Sequence, residues 1–153
     1  MPSPQVEIVV IALGTPLLVG IYREGKLTQK IVSRDKTSEA LPRIFEDILK
    51  KYSIKRVYYA KGPGSFMAIK LAYIFLKSLQ IVKNFELYGC EGFVFNENRP
   101  IKAVGNLYFV KENDKIVTKK IDNPIDWDFQ LPKKLDNLNC SLDTAPLYVI
   151  PAV

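Results

Sequence analysis

The chain has 153 residues, 48% of them hydrophobic and 25% charged, a formal net charge of +6 and no histidine. That length and balance fit one globular domain with a real core and exclude a disordered chain. The missing histidine excludes Ser-His and Cys-His nucleophile pairs and histidine metal sites, so any chemistry would rest on carboxylates, lysines or hydroxyls.

Ile8 to Tyr22 carries no charge, but it follows Glu7, has no basic start and is broken by Gly14-Thr15-Pro16. It is also too short to span a membrane as a helix, so no membrane segment is expected. Two strands explain it better, Val6 to Leu13 and Leu17 to Arg23. Glu24-Gly25 then makes a hairpin turn into a third strand, Lys26 to Ser33. A helix follows, capped by Thr37 or Ser38, with Pro42 tolerable near its first turn. Its apolar residues Leu41, Ile44, Phe45, Ile48, Leu49 and Tyr52 recur at three- and four-residue steps.

Arg56 to Ala60 reads as a short buried strand that stops at Gly62-Pro63-Gly64-Ser65. The glycines supply torsions or close approach, Pro63 stiffens the turn, and Ser65 is placed to cap the next helix. That helix, Phe66 to Val82, is apolar over most of its circumference; only Lys70, Lys77, Gln80 and Lys83 make a polar line. Such a helix is buried on more than one side, against its own sheet and against a second helix or a partner chain. A strand at Phe85 to Gly89 completes a meander continued by strand-helix alternation. This order predicts an α/β fold with a mixed sheet covered by helices, as in a ribonuclease H-like unit.

After Glu91-Gly92 the pattern weakens. Ala103 to Lys111 and Lys115 to Ile121 read as a hairpin, Lys133 to Leu138 as a short helix and Leu147 to Ile150 as a last strand. Cys90 and Cys140 show no CxxC spacing and are expected to be reduced, in the cytoplasm. The basic residues come in pairs such as Lys50-Lys51 and Lys133-Lys134, a solvated surface rather than an RNA-binding motif. Glu7, Glu46 and Asp47 are carboxylates that a nuclease could use on metal ions, but the strand Arg56 to Ala60 offers no acid. The glycine turn could cradle a phosphate at a helix N-terminus, although it lacks the Gly-Lys-Ser/Thr of a Walker loop.

Ser38-Glu39-Ala40-Leu41-Pro42, followed by Gly62-Pro63-Gly64-Ser65-Phe66 at a strand end and a long helix, resembles the bacterial TsaB family, also called YeaZ. Gly14-Thr15-Pro16-Leu17-Leu18 and Pro146-Leu147-Tyr148-Val149-Ile150-Pro151 are weaker matches, and the resemblance covers about residues 6 to 90. It implies an actin-like (ASKHA) fold with an N-terminal lobe over residues 1–91 and a reduced C-terminal lobe over residues 92–153. It also implies a non-catalytic subunit with no cofactor and no metal. The family pairs with TsaD, which transfers a threonylcarbamoyl group to the adenosine beside the anticodon of certain tRNAs. A TsaE-like ATPase joins the same assembly, TsaC supplies the threonylcarbamoyl-adenylate, and tRNA is touched only within the complex. Family members bind TsaD, or a second copy of themselves, through the two helices of the N-terminal lobe. Carried onto this chain, the interface falls on Leu41, Phe45 and Ile48 of the first helix. On the second it falls on Phe66, Met67, Lys70, Tyr73, Ile74 and Lys77; which face of each helix meets the partner stays open. The family's Asp-Thr-Ser before Thr-Pro is Ala12-Leu13-Gly14 here, and losing that aspartate argues against nucleotide hydrolysis.

Overall fold

The computed structural model describes residues 3–123 and 128–149. Strands β1 (Gln5–Ile11), β2 (Leu17–Arg23) and β3 (Lys26–Ser33) form the opening meander, and α1 (Thr37–Lys51) follows. Then come β4 (Ser53–Gly62), α2 (Phe66–Lys83) and β5 (Glu86–Glu91), a 3-10 turn at Gly92–Phe95, and β6 (Ile101–Lys102), β7 (Leu107–Glu112), β8 (Lys115–Lys120) and β9 (Cys140–Ser141). The main sheet has the order β3-β2-β1-β4-β5-β9; β6, β7 and β8 form a separate three-stranded sheet. β1, β4 and β5 run parallel, whereas β2, β3 and β9 pair antiparallel with their neighbours, so the sheet is mixed.

The sequence accounts for this order locally. Ile8 to Ile11 are consecutive buried residues, as a central strand covered on both faces requires. Glu24 and Gly25 both take positive φ, 52° and 78°, the geometry of a two-residue hairpin turn. β3 is an edge strand; its exposed Lys26 and Lys30 oppose pairing with another chain.

Both helices pack on one face of the main sheet. Val6, Ile8, Val10, Val19, Ile21, Val57 and Tyr59 meet Leu41, Ile44, Phe45, Ile48, Ala72 and Leu76 there. Phe45 and Phe75 join α1 to α2 edge-to-face, with ring centroids 5.5 Å apart. The opposite face, with Val9, Ile11, Leu18 and Tyr22, is covered by Phe95, Leu131, Leu135 and Leu138. Among the described residues no helix is long and apolar enough to cross a membrane.

Four expectations are corrected. Lys36, not Thr37 or Ser38, is the N-cap of α1, and no side chain caps that helix. Residues 133–138 form no helix: Leu27 N–H donates to the Lys133 carbonyl and Leu135 N–H to the Gly25 carbonyl, each at 2.9 Å. These tertiary bonds hold the segment against the β2–β3 turn as irregular chain, with a turn at Asp136-Asn137 where Asn137 takes φ 59°. Residues 147–149 are irregular rather than a strand, and Ile150 lies outside the described residues. The last strand is instead Cys140–Ser141, which pairs with Gly89–Cys90, and Cys90 and Cys140, expected to be reduced, are joined there in a disulfide with a Cα–Cα distance of 4.4 Å. No local spacing announces a pair 50 residues apart; the addition of β9 to β5 makes it.

The buried phenols make stability sensitive to high pH. Burial pushes Tyr22 and Tyr59 far above the ordinary tyrosine range and, with help from the Glu7 carboxylate, pushes Tyr58 up to about 12. A raised folded-state pKa means that the unfolded chain releases these protons first. The stabilisation is complete below pH 10 and falls as pH rises from about 10 through 12. Denaturant midpoints are therefore expected to drop between pH 9 and pH 11.5, with a fraction of the eight tyrosines ionising late by ultraviolet absorbance. A constant midpoint, or all eight titrating together near pH 10, would contradict it.

Candidate docking face

α2 begins where the chain leaves β4 through Gly62-Pro63-Gly64-Ser65. Gly62 has φ 133°, a torsion that only glycine takes readily, and a Cβ there would collide with the Leu147 carbonyl. A Cβ on Gly64 would collide with the Leu13 carbonyl, which also accepts a 2.9 Å hydrogen bond from Ser65 N–H. Both glycines are thus accounted for by backbone segments of the same chain. Ser65 is the N-cap, its Oγ accepting from Ala68 N–H at 3.4 Å. The other end closes at Asn84 in the left-handed region, with its N–H on the Gln80 carbonyl.

Only Ile69, Ala72 and Leu76 of α2 are fully buried. The outward side carries Phe66, Met67, Ile74, Ile81 and Val82, of which Met67 is 65% and Ile81 84% exposed. Lys70 is exposed and Lys77 half-buried on the same side. Tyr148, half-exposed, extends this surface from the C-terminal segment, its ring edge-on to Phe66 at 5.1 Å. A row of large apolar side chains in water, interrupted by two lysines and Ser78, is unfavourable unless something covers it.

Of the residues carried over from the resemblance, Phe66, Met67, Lys70 and Ile74 come together on this face. Lys77 lies at its edge, and Tyr73 turns inward, 6.2 Å from the Tyr59 ring. Leu41, Phe45 and Ile48 are a correction: at 1%, 1% and 2% exposure they belong to the core of this chain. α1 spends its single apolar stripe on the sheet and on α2, and presents Arg43, Glu46, Asp47 and Lys50 to solvent. Sequence reasoning left out Ile81 and Val82, although the apolar run of α2 held the signal for them. It could not find Tyr148, which reaches Phe66 across 82 residues of chain.

The carboxylates offer little for metal chemistry. Glu7 and Glu86 both engage Arg56, at 3.6 and 2.6 Å, and the Arg56 hydrogen bond holds Glu86 below the usual carboxylate range. Among the described residues no group of three His, Cys, Asp or Glu side chains is disposed to hold a metal ion. A cleft of about 390 Å³ lies between the glycine turn and the small sheet; Lys102 is the one cation among the described residues lining it. That is a poor match for a polyphosphate, which calls for several donors and cations.

No protein-family profile and no curated protein sequence matches the chain. Solved structures do. YeaZ from Pseudomonas aeruginosa superposes with a TM-score of 0.59 at 10% identity, covering 81% of this chain and 71% of that one. A second structure, described as an uncharacterized protein with similarity to peptidase YeaZ from Pseudomonas aeruginosa, gives the same TM-score and coverage at 12% identity. Over four fifths of its length, this chain has the fold of YeaZ.

Proposed function

We propose that this chain is a non-catalytic docking subunit of the TsaB type, and that the outward face of α2 binds a TsaD-like protein. On this reading the mixed sheet and its two helices are the N-terminal lobe of an actin-like (ASKHA) architecture, and residues 92–153 a reduced second lobe. The chain would serve a cytoplasmic assembly that places threonylcarbamoyl on the adenosine beside the tRNA anticodon. A TsaE-like ATPase is the further partner, and tRNA is contacted only within the complex. The observation that carries the reading is the apolar row of Phe66, Met67, Ile74, Ile81 and Val82 left uncovered on a YeaZ-like fold. Self-association through the same face is expected when the partner is absent, because it removes that surface from water.

Support for a scaffold rather than an enzyme comes from the side chains. The chain has no histidine, its Glu7 and Glu86 are tied to Arg56, and both loop glycines are explained by close backbone contacts. The test is reconstitution of tRNA threonylcarbamoylation from cognate TsaD, TsaE and TsaC, with and without this chain. Product is expected only when the chain is present. Equal product in both reactions, or no binding between the chain and TsaD, would refute the role.

A further inference from the structure

The C-terminal segment 140–149 is tied down across the ends of β4 and β5 at five successive points. Cys140 is bonded to Cys90, and the Asp143 carbonyl accepts from Lys61 Nζ at 3.1 Å. The Thr144 carbonyl accepts from the buried Tyr59 hydroxyl, and Leu147 N–H donates to the Lys61 carbonyl at 2.7 Å. Tyr148 then lies edge-on to Phe66, the first residue of α2. The sheet is shaped to receive this strap. A side chain at Gly62 would strike the Leu147 carbonyl, and one at Gly89 would strike the Asp143 carbonyl. The strap thus runs from the disulfide to the exposed apolar face, and the last aromatic ring of that face is supplied by it.

The two sulfurs differ in access. Cys90 is 1% exposed, whereas Cys140 is half-buried. A cleft of about 140 Å³ opens beside the disulfide, lined by Lys61, Glu91, Lys111 and Cys140 but not by Cys90. Each of its two ammonium groups has a carboxylate partner, Lys111 on Glu91 and Lys61 at 3.8 Å from Asp143, so the cleft presents no uncompensated negative charge to an approaching thiolate. We propose that the Cys90–Cys140 disulfide is a thiol-sensitive clip that seats the strap and thereby completes the docking face, so that the partner binds the oxidised chain more tightly than the reduced one. The inference rests on the docking role of α2 proposed above.

The reductant is a dithiol. Its thiolate attacks Sγ of Cys140, a mixed disulfide forms, the Cys90–Cys140 bond breaks and Cys90 leaves as thiolate. The second thiol of the reductant, as thiolate, displaces Cys140, and both cysteines take protons from water. Two electrons pass to the protein, and the dithiol becomes a disulfide. The strap is then held by non-covalent contacts only, namely its hydrogen bonds, the Lys61–Asp143 ion pair and the packing of Tyr148 and Val149, which open far more often than a covalent tie.

The experiment uses the full chain with and without excess dithiol, reading amide hydrogen exchange over residues 141–149 and affinity for the TsaD-like partner. Reduction should speed exchange at Leu147 roughly tenfold or more and weaken association in parallel by a similar factor. Cys140→Ser should behave as the reduced chain whether or not dithiol is present. Tyr148→Ala, with the disulfide intact, should lose affinity without a change in exchange at 141–145. Faster exchange with unchanged affinity would overturn the inference, as would exchange that ignores the dithiol. Absence of association in both redox states would overturn the docking role itself, and the clip's effect with it.

Discussion

Ile74→Asp is expected to lower affinity for a TsaD-like partner by about 100-fold while leaving the chain folded. Ile74 is 50% exposed, in the middle of the row that runs from Phe66 to Val82 on the outward side of α2. Central, well-covered anchors in an interface cost about 2 kcal/mol or more on truncation, and a buried unpaired carboxylate adds its desolvation penalty. Lys70 lies one turn before Ile74 and Lys77 nearly one turn after it, so a partner built for this face would meet two ammonium groups. An aspartate between them disfavours such a partner as well. In the free chain the same two lysines shelter the aspartate on the helix surface, so the cost to folding should stay within about 0.5 kcal/mol. Calorimetric titration against the partner, beside a thermal melt of the variant alone, separates the two effects. Unchanged affinity would move the docking surface away from α2.

Phe45→Ala should do the reverse. Its ring is 1% exposed, packed edge-to-face on Phe75 between α1 and α2. Removing a buried phenylalanine leaves a cavity as well as losing apolar transfer, at a cost of about 3–5 kcal/mol. For a chain of this size that corresponds to a fall in Tm of roughly 10 °C. Whatever fraction remains folded should bind the partner as before, because the side chain does not reach the surface. A variant with an unchanged melt and weakened binding would return Phe45 to the interface. The pair Ile74→Asp and Phe45→Ala therefore distinguishes the side of the helices that docks from the side that holds the fold.

The two helices show how far sequence reaches. The steps from Leu41 through Ile44 and Phe45 to Ile48 announce one apolar stripe, and one stripe is enough to bury α1 on a sheet. That stripe does not say whether the sheet or another protein covers it. α2 announced a surplus, since an apolar run from Phe66 to Val82 broken mainly by lysines exceeds what one sheet can cover. The surplus was legible because amphipathicity is a property of consecutive residues. The face on which it sits was not legible, because the rotation of α2 is set by Ile69, Ala72 and Leu76 settling into the core.

What the sequence determined by itself is the local grammar. The strand meander and its Glu24-Gly25 turn, the glycine turn into α2, the Ser65 cap and the absence of histidine all follow from neighbouring residues and their torsions. The tertiary structure decided what depends on distant segments meeting. It turned Lys133 to Leu138 from an expected helix into an irregular cover, because the turn at Gly25 and Leu27 took its hydrogen bonds. It set Cys90 opposite Cys140, because a two-residue strand added to the edge of β5. It also laid Tyr148 on Phe66, because Gly62 and Gly89 leave room for a backbone to pass. Contacts of that kind carry no period in the chain; only the packed sheet brings their members together.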